Sequence, residues 1–202
     1  INNLAEDPQY APIVAKMRDT QVAYLKEIGD LGFIPEGILF ERYKEDSVLY
    51  ARQYDKASLS SIIESAVNAT LSPSPGMINR LVENPEPAYR FWGAMGALQM
   101  ARQGEDASRQ LVELATDENQ DVRATAAEGL YYSGQKDEAQ QLLFELLASD
   151  NPYVLIRVLG TIEYLKLDVS SVEPQLRSLQ ERKRTMYADD YVQWLAGKLL
   201  GE

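Results

Sequence analysis

The sequence has no cysteine and no histidine among its 202 residues. Those two absences exclude a disulfide, a thiol nucleophile, an imidazole base, a Cys/His zinc site and a Ser-His-Asp triad. Any chemistry here falls to carboxylates, Lys, Tyr and hydroxyls, and their spacing supplies no convergent pocket of the kind an independent enzyme needs. Long hydrophobic runs are missing as well. None approaches the roughly 18 residues of a membrane span, and no charged-then-apolar leader precedes the first helical pattern. Positive charge is in deficit, with 20 Lys and Arg against 31 Asp and Glu, a net charge of −11. Such a chain repels phosphate backbones and anionic head groups, so nucleic acid and membrane surfaces are not expected as partners. Alternating β-branched runs joined by hairpin turns are also lacking, which leaves no candidate strand.

What is present is helical periodicity. Leu59, Ile62, Ile63, Ala66 and Val67 recur at the spacing of one helix face. An earlier segment does the same with Tyr10, Ile13, Val14, Met17, Tyr24, Leu25 and Ile28. Asp7-Pro8 reads as its cap and first helical position, and Gly29 or Gly32 as its end. The fold class expected is all-α.

From about Asn84 the sequence resembles itself. Tyr89-Arg90-Phe91-Trp92-Gly93-Ala94-Met95-Gly96-Ala97 overlays Val122-Arg123-Ala124-Thr125-Ala126-Ala127-Glu128-Gly129-Leu130, with Arg, Ala and Gly coinciding. A third unit opens at Asn151-Pro152-Tyr153-Val154. Each first helix is followed by a polar turn and a second apolar pattern: Leu111 and Leu114, then Leu142, Leu143, Leu146 and Leu147, then Leu176 and Leu179. Helix pairs repeated at this period bury their faces only by stacking, which predicts a solenoid of helical hairpins. The glycines and alanines of the first helices suit close helix contacts.

Asp121-Val122-Arg123-Ala124-Thr125-Ala126-Ala127-Glu128-Gly129-Leu130, continued by Glu138-Ala139-Gln140-Gln141-Leu142-Leu143 and Asp150-Asn151-Pro152, resembles the HEAT-like helical repeat. Arg90 stands at the arginine position of that repeat, and Leu155 replaces it in the third copy, so the Asp-Arg ladder is expected to break there. Residues 1–56 then read as a helical connector and 57–202 as the repeats.

The connector carries a second resemblance. Ile1-Asn2-Asn3-Leu4-Ala5-Glu6-Asp7-Pro8-Gln9-Tyr10, Met17-Arg18 and Gly29-Asp30-Leu31-Gly32-Phe33-Ile34-Pro35-Glu36, in that order, are similar to the segment that follows the catalytic domain of bacterial sulfatases. The opening at Ile1 fits a fragment of such a protein. Sulfatases need Cys/Ser-x-Pro-x-Arg, the source of formylglycine, together with a calcium site and active-site His and Lys; this sequence has neither that motif nor any His. The resemblance therefore implies a non-catalytic C-terminal extension, with no cofactor of its own, whose parent needs calcium and formylglycine. It implies a periplasmic or secreted location and the catalytic domain of the same polypeptide as partner. A free-standing HEAT-like interaction scaffold is the alternative.

Candidate binding residues are few. Arg182 and Arg184 lie in the densest basic patch, where a sulfated glycan would find charge-assisted donors. Trp92, Tyr131 and Tyr132 belong to a set of aromatics too numerous to be buried with satisfied polar tips, and such surfaces suit a sugar or a protein partner. Asp189-Asp190 point about 100° apart on a helix and face no common substrate. Asp117, Glu118 and Asp121 share a turn but lack the order of a calcium loop, and no metal is expected.

Overall fold

The helix starts follow local capping chemistry. Asp55 accepts from the Ser58 amide at 2.8 Å, Asn119 from the amides of Asp121 and Val122 at 3.0 and 3.3 Å, and Asn151 from those of Tyr153 and Val154 at 3.1 and 3.4 Å. Each satisfies amides that have no partner within the helix. The computed structural model describes residues 3–43 and 54–202, and these hold eleven α-helices and no strand. In order they are α1 (Ala11–Ile28), α2 (Glu36–Tyr43), α3 (Lys56–Leu71), α4 (Pro75–Val82), α5 (Pro87–Arg102), α6 (Ser108–Leu114), α7 (Gln120–Tyr132), α8 (Lys136–Glu145), α9 (Pro152–Leu165), α10 (Glu173–Gln180) and α11 (Tyr187–Leu200).

One start differs from the sequence expectation. Asp7 does cap a turn, accepting from Gln9 at 2.9 Å, but Pro8–Tyr10 form a 3-10 turn and α1 begins at Ala11. Pro12 is the reason: an α-helix begun at Pro8 would require the amide hydrogen that Pro12 lacks. The end is as expected, with Gly29 at φ 66° closing α1.

Helices α3, α5, α7, α9 and α11 pack one on the next, with α4, α6, α8 and α10 returning between them. Helices α3 and α4 thus make a further hairpin ahead of the first copy visible in the sequence. Close approach depends on the small residues. A Cβ at Gly93 would stand 3.1 Å from the Leu81 Cβ, one at Gly96 would stand 3.3 Å from Ile78, and one at Gly129 would overlap the buried Leu111. Close packing therefore offsets the helical penalty of glycine at these three positions.

The buried residues form two clusters that meet at α7. Val122, Ala126 and Leu130 join Ile62, Ile78, Phe91 and Leu111 on one side. Ala124 and Ala127 join Leu143, Leu155, Leu159, Ile162 and Leu176 on the other. Arg90 fastens the first copy, gripping Asp117 through Nε at 2.7 Å and Nη2 at 3.1 Å and the carbonyls of Asn84 and Pro85 at 3.0 and 2.8 Å. In the second copy Arg123 makes no such bond, and its Nε is buried without a partner. In the third, Leu155 is buried in the core.

The connector splits in two. Ile34 and Ile38 are buried in the first cluster, and the Asn151 amide donates to the Gly37 carbonyl at 2.9 Å and to Glu41 at 3.0 Å, so α2 is built onto α7 and α9. Helix α1 buries no residue. It rests on α3, where Lys26 pairs with Glu64, and leaves Ile13 at 55 %, Met17 at 67 %, Tyr24 at 59 % and Ile28 at 53 % exposure.

Candidate functional site

A groove of about 610 Å³ opens where the start of α2 faces α9, floored by α5 and α7. Its size falls within the range of ordinary ligand pockets. Phe33, Trp92, Tyr153 and Tyr164 give it aromatic walls, and Arg102, Glu128, Arg157 and Asp121 give it charge. The Trp92 indole donates to the Phe33 carbonyl at 2.8 Å and meets Phe91 edge to face with centroids 5.3 Å apart. That bond fixes the ring and ties the segment before α2 to α5.

Asp121 and Arg157 form the inner end. Arg157 Nε donates to Asp121 Oδ1 at 3.1 Å, and its guanidinium sits 4.8 Å from the Phe91 ring centroid, within cation–π range. Asp121 is 2 % exposed, and its Oδ2 has no hydrogen-bond partner. That oxygen occupies the space a Cβ at Gly37 would take, which is why position 37 carries no side chain. It thereby lies at the first turn of α2, where unpaired amides make the helix end positive. Burial pushes the Asp121 pKa up against the opposing pull of Arg157, and Glu41 and Glu36 push it further.

Arg102 forms the outer end. It pairs with Glu128 and lies 5.2 Å from the Tyr132 ring and 5.7 Å from the Tyr164 ring. Between the two arginines runs Gly160, in the middle of α9, with nothing within 4 Å of where its Cβ would be.

Of the five candidate binding residues named from the sequence, the groove takes in Trp92, and Asp121 of the acidic turn lines it as well. Tyr132 stands at its edge through Arg102. Tyr131 is half-buried, with Lys136 4.9 Å over its ring. Arg182 and Arg184 are elsewhere and each has a carboxylate: Arg182 meets Asp189 at 3.1 Å and Arg184 meets Asp190 at 2.7 Å. Asp189 is fully buried and caps α11, accepting from the Thr185 and Met186 amides at 2.7 and 3.0 Å and from the Thr185 hydroxyl at 2.9 Å. Burial works to raise its pKa, but these donors and Arg182 together hold it below the usual carboxylate range. Asp117, Glu118 and Asp121 likewise pair with Arg90 and Arg157. Tyr153 and Tyr164, which belong to the same over-numerous aromatic set as Trp92, line the groove too, whereas nothing local in the sequence points to Arg157 or Gly160.

Residues 74–179, just over half of the 202, match the family model described as HEAT repeats. The chain belongs to the HEAT-repeat family. No curated protein and no solved structure matches it. HEAT repeats are non-catalytic and generally mediate protein interactions, in keeping with a helical scaffold. Among the described residues no helix is long and apolar enough to cross a membrane.

Proposed function

We propose that this HEAT-repeat chain is the non-catalytic extension of a sulfatase, packing on the catalytic domain of the same polypeptide and shaping access to it. The observation that carries the reading is the stripe of Ile13, Met17, Tyr24 and Ile28. It runs along one side of α1 with more than half of each residue exposed, and it lies within the segment similar to the one after sulfatase catalytic domains. A fully buried side chain of this kind contributes about 1.5–3 kcal/mol, a gain α1 makes only against another surface. The calcium and formylglycine chemistry would belong to the parent's catalytic domain, and the same resemblance suggests a periplasmic or secreted location.

The test has two parts. The reading frame upstream of Ile1 should encode Cys/Ser-x-Pro-x-Arg, and adding this chain to the parent enzyme lacking it should raise stability or alter preference for long substrates. A frame without the motif, or no change in either property, contradicts the reading. A free-standing scaffold for a protein partner is favoured instead by the exposed face of α11, where Tyr187, Tyr191 and Trp194 stand at 69 %, 45 % and 60 % exposure. In that case a partner would protect these three residues and leave α1 unchanged.

A further inference from the structure

We propose that the groove between the start of α2 and α9 is a saccharide-binding site. This inference goes beyond the docking of α1 and does not depend on a sulfatase parent. Three observations carry it. First, the groove is held open at a cost to its own helix. Gly160 lies in mid-helix, where glycine is less favourable than alanine, yet no neighbour comes within 4 Å of its missing side chain. The glycines of α5 and α7 are required by the helices packed on them, whereas the space over Gly160 belongs to the groove.

Second, the polar groups are mixed and balanced. Arg157 uses Nε on Asp121 and Arg102 uses Nη2 on Glu128; the other guanidinium nitrogens of both have no hydrogen-bond partner among the described residues. Glu36, at the mouth, supplies an exposed acceptor. With both arginines already paired to carboxylates, a simple ion of either sign gains little net attraction. A polyol fits such a set, because each hydroxyl both donates and accepts. Third, Trp92, Tyr153 and Tyr164 line the same space, and the negatively polarised faces of aromatic rings suit the C–H faces of a pyranose. The groove is walled mainly by helices, whose backbone groups are already paired, so recognition must come from these side chains rather than from pairing with an extended peptide.

A carboxylate or sulfate on the sugar would reach the unpaired nitrogens of Arg157, a planar fork suited to oxyanions. The experiment is titration of the full chain, by calorimetry, with neutral, uronic-acid and sulfated oligosaccharides, using native protein, Gly160→Leu and Arg157→Gln. The proposal expects binding of at least one class and at least a tenfold loss in Gly160→Leu, while that variant melts no lower than the native chain. If the anionic classes bind best, Arg157→Gln should remove that preference and its salt dependence; if the neutral sugars bind equally, Arg157 acts only as a hydroxyl donor. No binding by any class, or undiminished binding by a folded Gly160→Leu, overturns the proposal.

Discussion

Gly129 and Gly160 stand in consecutive repeat helices, ten residues after Asn119 and nine after Asn151. That one-residue offset turns them about 100° apart around their helices. Gly129 faces Leu111, which fills the space of a side chain, and Gly160 faces the groove, where nothing does. The same residue type therefore marks opposite things: a closed contact in the first cluster and an opening beside the second. Helix α1 repeats the contrast at the scale of a whole helix, since α7 buries eight of its thirteen residues and α1 buries none of its eighteen.

The closed side should be the fragile one. Arg90→Ala leaves Asp117, whose side chain is 8 % exposed, without its guanidinium, and breaking a buried pair in this way costs about 3–5 kcal/mol; urea unfolding would show the loss. Gly129→Val drives a side chain into Leu111 and should cost about 1–3 kcal/mol by the same measurement. A cost near zero for Gly129→Val would mean that the α6–α7 contact is looser than its geometry.

Asp121 and Asp189, both buried, sharpen the comparison through pH. Asp121 has its pKa raised by burial, so its contribution is greatest below the ordinary carboxylate range and is lost as pH rises through the raised value. Asp189 has its pKa lowered despite burial, by its donors, so its contribution is present at neutral pH and is lost as pH falls through the lowered value. Melting temperatures across about pH 3 to 8 should show Asp189→Asn weakest relative to native at neutral pH, converging toward it in acid. Asp121→Asn should compare with native more favourably at neutral pH than in acid. Parallel curves for both variants would contradict the assignment.

The open side should tolerate change. Gly160→Ala places a methyl in empty space and should stabilise the chain by about 0.5–1 kcal/mol through helix propensity. Met17→Ser on α1 should fall within about ±0.5 kcal/mol in this chain alone, because Met17 is 67 % exposed. Destabilisation by either one would place that side chain in a contact the structure does not contain.

Much of the repeat region was legible in the sequence because periodicity and local packing agree there. Leu59, Ile62, Ile63 and Ala66 share a face and are all buried, and Gly93, Gly96 and Gly129 sit where helices touch. Periodicity gives α1 as a helix closed by Gly29, but the pattern of Ile13, Met17, Tyr24 and Ile28 records an apolar face without saying what covers it. Asp7-Pro8 is a misleading start signal because Pro12, four residues after Pro8, has no amide hydrogen to close the first α-turn, and α1 begins at Ala11. The basic cluster at Arg182 and Arg184 lost its appearance as an anion site once Asp189 and Asp190, on the first turn of α11, folded back onto it. The groove was hidden for a different reason: Phe33, Trp92, Asp121 and Arg157 are far apart in the chain, and only the tertiary fold brings them together.

Helix α1 is proposed to dock on a neighbouring domain through its exposed apolar stripe. Hydroxyl-radical footprinting of Ile13, Met17, Tyr24 and Ile28 tests that docking, comparing this chain alone with the same chain joined to the catalytic domain of its proposed parent. All four should be highly reactive in the chain alone and strongly protected in the joined protein, with Tyr187 and Trp194 unchanged in both. Equal reactivity of the α1 residues in the two samples would contradict it.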